Sequence, residues 1–225
     1  MRHPARRAGP APDPDLPPRV PLGRVTLDEY LAFEEAHPER HEYIDGYVYA
    51  MSGASTPHAQ ITSNVCGHLW VAARGGPCAA YQQGTKLRVR DRVFYPDVLV
   101  VCDPAGEDAR MVYAPCLLVE VLSESTGVND RTLKREAYTS LPSLRAYWIV
   151  SPWWRSAERH WRGDDGEWRT EVVEGDGALD VPCPARPALT LDEVYEGLDL
   201  PRTPPGGPPL RRVYELPTEY ADAGG

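Results

Sequence analysis

Two carboxylates lie inside segments that otherwise resemble buried strands. The segment "YPDVLVV" (95–101) contains Asp97, and "LLVEVLS" (117–123) contains Glu120. A buried, unpaired carboxylate is costly or takes up a proton, and two ionised carboxylates close together repel each other. A divalent cation removes both penalties, because Mg²⁺ is typically held by one or two carboxylates, waters and a substrate phosphate oxygen. The pair therefore predicts metal-assisted hydrolysis of a phosphate ester.

Lysine is rare in this chain. Only two of the 24 basic residues are lysines, Lys86 and Lys134, which makes both of them candidates for contact with a phosphate or an attacking water. Simpler interpretations exist for each charged group. Lys134 could be a solvated helix residue or pair with Asp130 one turn earlier. Asp97 could cap a strand end, and Glu120 could pair with an arginine.

The elements that must position these groups follow from the spacing of apolar residues. The predicted elements are a helix at 27–37, a hairpin at 41–52, a helix at 57–74, strands at 85–90, 95–101 and 117–123, a helix at 130–141, a strand at 146–152 and an exposed hairpin at 158–173. Asp-Gly turns are expected in both hairpins. This order favours the α/β (α+β) class, with a mixed β-sheet flanked by helices.

The chain length predicts one domain. Of the 225 residues, segments 1–22 and 201–225 are rich in proline and are predicted to be disordered tails around a folded core at 23–200. The net charge of −9 argues against a protein that coats nucleic acid, although a local basic groove remains compatible with it.

Features of membrane, secreted and disulfide-rich proteins are missing from the sequence. No stretch approaches the ~20 apolar residues that span a bilayer, and the start has no apolar signal region. The five cysteines are scattered and lack a C-x-x-C motif, so free thiols are predicted. Together these features predict a cytoplasmic protein with no membrane partner.

Several polar residues have an ordinary structural interpretation. His58 falls near the apolar side of its helix and is predicted to be a core histidine rather than a ligand, and His41 is predicted to be at the surface. Arg88, Arg90 and Arg92 are predicted to form a solvated strand face. The alternative for these arginines is a stripe that contacts phosphates.

Six segments in order resemble the Uma family of predicted restriction endonucleases, within the PD-(D/E)XK nuclease superfamily. They are "HEYIDGYVYAMS", "PHAQI", "YPDVLVV", "LLVEVLSEST", "ND…LKREAY" and "LRAYWIVSP". The resemblance covers about 26–198, and it depends on the order and spacing of all six, because each segment alone is a weak signal. It implies a restriction-endonuclease-like fold. It also implies a Mg²⁺- or Mn²⁺-dependent endonuclease that acts on DNA, and homodimers are common among such enzymes.

The same resemblance implies roles for individual residues. Asp97 and Glu120 match metal ligands of the family, and the carbonyl of Val121 is a further expected ligand. Glu42, in "HEYIDG", matches a family acid that would complete the metal site, and its alternative interpretation is a solvent-facing strand residue.

One departure from the superfamily concerns its E-x-K lysine. Leu122 occupies that position here. The Uma pattern also lacks a lysine there and offers one on the next helix, which matches Lys134, with Asp130 matching the acid four residues earlier. Lys134 is therefore the preferred catalytic lysine over Lys86. Lys86, Arg88 and Asp130 are assigned to substrate binding.

Two other classes of function remain compatible with these residues. One is a non-enzymatic protein of the same fold, whose vestigial site serves nucleic-acid binding or another interaction. The acidic net charge and Leu122 favour this class. The other is a hydrolase with a carboxylate pair, such as a glycosidase, for which the sequence contains no supporting pattern.

Overall fold

The computed structural model describes residues 6–7, 22–51, 53–103, 110–123, 128–184 and 186–203. For residues 6, 7, 128–131, 186 and 187, only the backbone is described. The predicted tails lie largely outside these residues, and so does the side chain of Asp130. Within the described residues, no α-helix combines the length and the apolar character needed to cross a bilayer.

Local capping chemistry sets the starts of the helices. The helices are α1 (Leu27–Ala36), α2 (Thr56–Ala73), α3 (Val128–Thr139) and α4 (Leu191–Val194). Thr26 and Glu29 form a capping box at the start of α1, because each side chain accepts a hydrogen bond from the backbone N–H of the other residue. Thr190 and Glu193 repeat this arrangement at α4. Ser55 caps α2 by accepting a hydrogen bond from the His58 N–H.

The strands form two larger sheets and two small ones. They are β1 (Arg6–Arg7), β2 (Gly23–Arg24), β3 (His41–Ile44), β4 (Tyr47–Ala50), β5 (Cys78–Gln82), β6 (Lys86–Val89), β7 (Arg92–Phe94), β8 (Val98–Cys102), β9 (Met111–Val112), β10 (Pro115–Val121), β11 (Ala146–Val150), β12 (Ser156–Arg162), β13 (Trp168–Glu174), β14 (Ala178–Val181), β15 (Arg186–Thr190) and β16 (Leu198–Asp199). The first sheet has the order β13-β12-β11-β10-β8-β5, and the second has the order β2-β4-β3-β7-β6-β9. Strand β14 pairs with β15, and β1 pairs with β16.

Both larger sheets are mixed. In the first sheet β10 and β11 are parallel and the other pairs are antiparallel. In the second sheet β6 and β9 are the parallel pair. The predicted class, a mixed β-sheet flanked by helices, is confirmed. The second sheet is an addition to the single sheet that the sequence predicted.

Helices cover both faces of the first sheet. On the face that we call the α2 face, Ile61, Val65 and Leu69 of α2 pack in one core cluster with Val98 and Val119. On the opposite face, which we call the α3 face, residues of the strands and of α3 pack in a second core cluster. Its members include Leu99, Val101, Leu118, Leu122, Ala137, Tyr138 and Leu141. Alternation along each strand therefore separates two apolar layers.

Two exposure predictions are wrong. The hairpin formed by β12 and β13 was predicted to be exposed, but Glu158, Arg159 and His160 are buried, because β12 lies between β11 and β13 in the sheet. Partners make this burial tolerable: His160 Nδ1 lies 2.7 Å from Thr170 Oγ1, and Arg159 Nη2 lies 3.0 Å from Glu171 Oε1. His41 is also buried, and its Nδ1 lies 3.0 Å from Glu34 Oε2.

Candidate active site

The two acids found in the sequence come from directly paired strands. Strands β8 and β10 are antiparallel, and their register pairs Leu99 with Leu118 and Val98 with Val119. One position beyond the last of these pairs, Asp97 comes opposite Glu120. Opposite residues in an antiparallel pair have Cβ atoms about 5 Å apart, within reach of one small ligand. This register explains why two adjacent strands each contain one acid.

Asp97 lies just before β8 and is almost fully buried. Its Oδ2 accepts a hydrogen bond from the Val121 N–H at 2.7 Å. The same oxygen lies 3.2 Å from His58 Nε2, and Oδ1 accepts a longer hydrogen bond of 3.4 Å from the Gln83 side chain. The carboxylate is thus held in place mainly through one of its two oxygens.

Glu120 extends from the α3 face of β10 towards α3. Its Oε1 accepts hydrogen bonds from Lys134 Nζ at 3.2 Å and from the Tyr138 hydroxyl at 2.8 Å. Burial raises the pKa of Glu120 to about 7. Of the neighbouring groups, the Lys134 charge lowers this pKa, the Asp97 and Glu42 charges raise it, and the Tyr138 hydrogen bond lowers it. Near neutral pH this carboxyl group can therefore both hold and release a proton.

Lys134 connects the two larger sheets. Its Nζ lies 2.9 Å from Oε1 of Glu42 on β3 in the second sheet, in addition to its contact with Glu120 on β10 in the first. The Glu42 side chain is only 1% exposed and that of Lys134 only 9%. A buried ion pair of this kind holds both charged groups in one cleft. The interpretation of Lys134 as a solvated helix residue, and that of Glu42 as a solvent-facing strand residue, are both wrong.

His58 is a site residue that the sequence alone did not identify. It lies in the first turn of α2, where it is buried with its Nε2 directed at Asp97. Burial lowers the pKa of His58, but the hydrogen bond and charge of Asp97 outweigh it, with smaller contributions from Glu120 and the Val121 carbonyl, so the pKa is raised. His58 Nδ1 is buried and has no hydrogen-bond partner among the described residues. The available signal was its place in "PHAQI", close to the apolar side of the helix.

The structure brings the predicted acids and the preferred lysine together in this cleft. Asp97, Glu120, Glu42 and Lys134 meet there, together with the backbone of Val121.

The residues assigned to substrate binding lie on β6 or have side chains outside the described residues. Lys86 and Arg88 lie on β6 in the second sheet, where Arg88 Nε donates to the Arg90 carbonyl at 2.8 Å. Arg92 forms a two-point ion pair with Asp45. Asp130 belongs to α3, but its side chain is outside the described residues.

The donor atoms of the cleft fit a hard divalent cation. They are carboxylate oxygens, which Mg²⁺ and Mn²⁺ prefer over nitrogen or sulfur. Glu120 Oε2 accepts no hydrogen bond from the described part of the chain, and Asp97 Oδ1 accepts only the long one from Gln83. The charge of Asp97 also raises the pKa of Glu120, a repulsion that a bound cation would relieve.

Comparison with known proteins shows the family of the chain. The family model Uma2, described as "Putative restriction endonuclease", matches residues 27–193. The chain belongs to the Uma2 family. The resemblance predicted from six sequence segments is therefore confirmed.

Relatives of this Uma2 chain include two uncharacterized proteins of Synechocystis sp. (strain ATCC 27184 / PCC 6803 / Kazusa). The protein slr1290 is 34% identical over 188 residues, which cover 80% of this chain and 96% of the relative. The protein sll1609 is 28% identical over 159 residues, covering 68% and 90%.

A solved structure has the same fold as this Uma2 chain. It is the crystal structure of "a putative nuclease belonging to DUF820" from Anabaena variabilis ATCC 29413. The TM-score is 0.64 at 20% sequence identity, over 77% of this chain and 98% of the other. The likeness supports a nuclease-type fold for the Uma2 chain.

Proposed function

We propose that this Uma2 protein is a metal-dependent endonuclease that hydrolyses phosphodiester bonds of DNA with Mg²⁺ or Mn²⁺. One observation carries the proposal. Lys134 reaches from α3 to Glu120 and Glu42 in the cleft where Asp97 also lies. This lysine takes the place of the E-x-K lysine that Leu122 replaces in the strand. The family description and the nuclease-type fold agree with this class of reaction.

The cation would be held by Asp97 and Glu120, with the Val121 carbonyl as a further ligand and Glu42 supporting the site. When bound, the cation would lower the pKa of water in the site and stabilise negative charge on the phosphate. Glu120 must lose its proton before it can act as a ligand, and its pKa of about 7 permits this at neutral pH. Asp97 is already oriented by the Val121 N–H.

Lys134 provides the positive charge of the reaction site. Its ammonium can orient an attacking water or neutralise charge on the scissile phosphate, because it is a compact donor of three hydrogen bonds. Glu42 fixes the ammonium at 2.9 Å and keeps it inside the cleft. We assign His58 as a positioning residue, because its Nε2 contacts the Asp97 oxygen that also accepts the Val121 N–H.

The proposal extends to substrate and assembly. DNA is the proposed partner and a homodimer the proposed assembly. Lys86, Arg88 and Asp130 are proposed contacts to the substrate.

Cleavage assays with matched variants test the proposed function. Supercoiled plasmid and single-stranded DNA are incubated with Mg²⁺, Mn²⁺ or EDTA, using wild type, Asp97→Asn, Lys134→Met and, as a control, Arg169→Met. Asparagine keeps an oxygen that can accept a hydrogen bond from the Val121 N–H. The variant therefore removes the negative charge of the side chain and should leave the fold intact. We expect cleavage that requires the metal and falls at least about 100-fold in Asp97→Asn and Lys134→Met. The Arg169→Met control, which changes a half-exposed residue of β13 paired with Asp165, should retain most of the activity.

A second candidate function is supported by Leu122 and by the net charge of −9. It is a nuclease-fold protein with a vestigial site that binds nucleic acid without cleaving it. DNA retarded in a gel but uncleaved with either metal would favour this function over the endonuclease. Cleavage that persists equally in Asp97→Asn would contradict the proposed site.

A further inference from the structure

Four of the five cysteines meet at the other end of β8 and β10. The structure forms disulfides between Cys78 and Cys102 and between Cys116 and Cys183. The Sγ atoms of Cys102 and Cys116, which belong to different disulfides, are 3.5 Å apart. The prediction of free thiols is therefore wrong for these four residues, and only Cys66 is free among the described cysteines.

Sheet pairing and one irregularity create this cluster. Cys78 on β5 and Cys102 at the end of β8 are directly paired in the register. The register of β10 against β8 shifts between Pro115 and Leu117, which makes Cys116 the extra residue of a β-bulge. As a result Cys116 packs in the same core cluster as Leu117, although adjacent residues of a regular strand face opposite sides. Cys183, after β14, joins the same cluster.

The spacing of the sulfur atoms matches a single metal ion. The Sγ atoms of Cys102, Cys116 and Cys183 all lie within 4.8 Å of one another, and the Sγ of Cys78 is bonded to that of Cys102. Four thiolates at ~2.3 Å from one zinc ion, in a tetrahedron, have sulfur atoms roughly 3.8 Å apart. An iron–sulfur cluster places several irons and sulfides between its cysteines and so needs a wider separation.

We propose that Cys78, Cys102, Cys116 and Cys183 form a structural site for one Zn²⁺ when their thiols are reduced. A dithiol reductant gives two electrons and two protons to each disulfide, which yields four thiols and two oxidised reductant molecules. Zinc binding then replaces the four thiol protons, which are released to solvent. A complete set of four thiolates leaves no open position for substrate, which defines a structural rather than a catalytic zinc site.

The surroundings suit a structural metal. Cys116 and Cys183 are buried, whereas Cys102 is half-buried and provides a route of entry. The site would connect β5, β8 and β10 with the segment that follows β14. Cys116 and Glu120 lie four positions apart on β10, which is about 13 Å at the rise of a strand. The zinc site is therefore distinct from the carboxylate cleft.

Cobalt substitution tests the proposal directly. The full chain is reduced without oxygen, freed of metal and titrated with Co²⁺, whose thiolate-to-metal charge-transfer and tetrahedral ligand-field absorption identify sulfur ligands. We expect one Co²⁺ per chain with this absorption, and its loss when Zn²⁺ is added. Cys116→Ser and Cys102→Ser should each abolish the four-thiolate spectrum. The matched control Cys66→Ser, which changes a cysteine outside the cluster, should retain it.

Two further measurements keep the test decisive. Asp97→Asn should retain the thiolate spectrum, which separates the cysteine site from the carboxylate cleft whether or not the protein cleaves DNA. Circular dichroism of each serine variant shows whether it has folded. If the buried Cys116→Ser variant does not fold, the spectrum of Cys102→Ser, which changes a half-buried residue, is compared with that of wild type. The proposal is overturned if the reduced wild type shows no thiolate absorption, if Cys102→Ser retains the full spectrum, or if both disulfides persist under reductant.

Discussion

The two ends of β8 and β10 hold opposite kinds of chemistry on the same strand pair. At one end Asp97 and Glu120 present hard oxygen ligands beside the ammonium of Lys134. At the other end Cys102 and Cys116 bring soft sulfur atoms to 3.5 Å. Hard and soft donors select different metals, so the proposed magnesium-type site and the proposed zinc site would bind different ions on one strand pair.

The two ends also differ in how their residues are brought together. A regular antiparallel register is sufficient to put Asp97 opposite Glu120. At the cysteine end the register is broken, and a bulge turns Cys116 towards Cys183. A regular register places side chains on the faces that strand alternation predicts. A bulge instead puts neighbouring residues on the same face, so alternation does not predict which side chains meet there.

The largest effect on stability is expected from Lys134→Met, which alters only the carboxylate end. The variant leaves Glu42 and Glu120 buried without their ammonium, and breaking such a buried pair costs about 3–5 kcal/mol. The free energy of unfolding, measured in urea at pH 8 with EDTA, should fall by about this amount. The loss should be smaller at pH 5, because without Lys134 the pKa of Glu120 rises and this carboxyl group is protonated.

The control for this change is Arg169→Met, on β13 of the first sheet. Its free energy of unfolding should change by less than about 1 kcal/mol, because the ion pair of Arg169 with Asp165 is half exposed. Equal losses in the two variants would remove the distinction drawn for Lys134.

A smaller effect, dependent on pH, is expected for Glu120. Its pKa is raised from 4.5 to about 7 in the folded protein, so the folded state holds more protons than the unfolded state between these values. The stability due to this group is therefore fully present below about pH 4.5 and is lost as the pH rises through 7, by about 3 kcal/mol. Urea unfolding in EDTA, across this pH range, should show this fall in wild type relative to Glu120→Gln. A constant difference between the two proteins would show that Glu120 is not perturbed.

The smallest effect concerns coupling between the two ends. Asp97→Asn and Cys116→Ser change groups more than about 10 Å apart, and such changes usually add within roughly 0.5 kcal/mol. A double-mutant cycle on the free energy of unfolding of the reduced, metal-free chain should therefore give a coupling energy below this value. A coupling above ~1 kcal/mol would mean that the two ends form one cooperative unit.

Much of the carboxylate end could be predicted from the sequence. Glu120 shares the α3 face with Leu118 and Leu122, as strand alternation indicated. Lys134 was identified because lysine is rare and because its position matches the family spacing. His58 was missed, because a histidine near the apolar side of a helix looks the same whether its ring contacts other core residues or a carboxylate on a neighbouring strand.

What the sequence determined by itself is local: the capping boxes of α1 and α4, the alternation that directs Glu120 to the α3 face, and the family of the chain. These depend on interactions between residues a few positions apart, which residue type and spacing specify. The tertiary structure alone decided that Glu42 of the second sheet reaches Lys134 and that Cys116 turns towards Cys183. Pairing between distant segments and a shift of register depend on the packing of the whole sheet, which no local pattern contains.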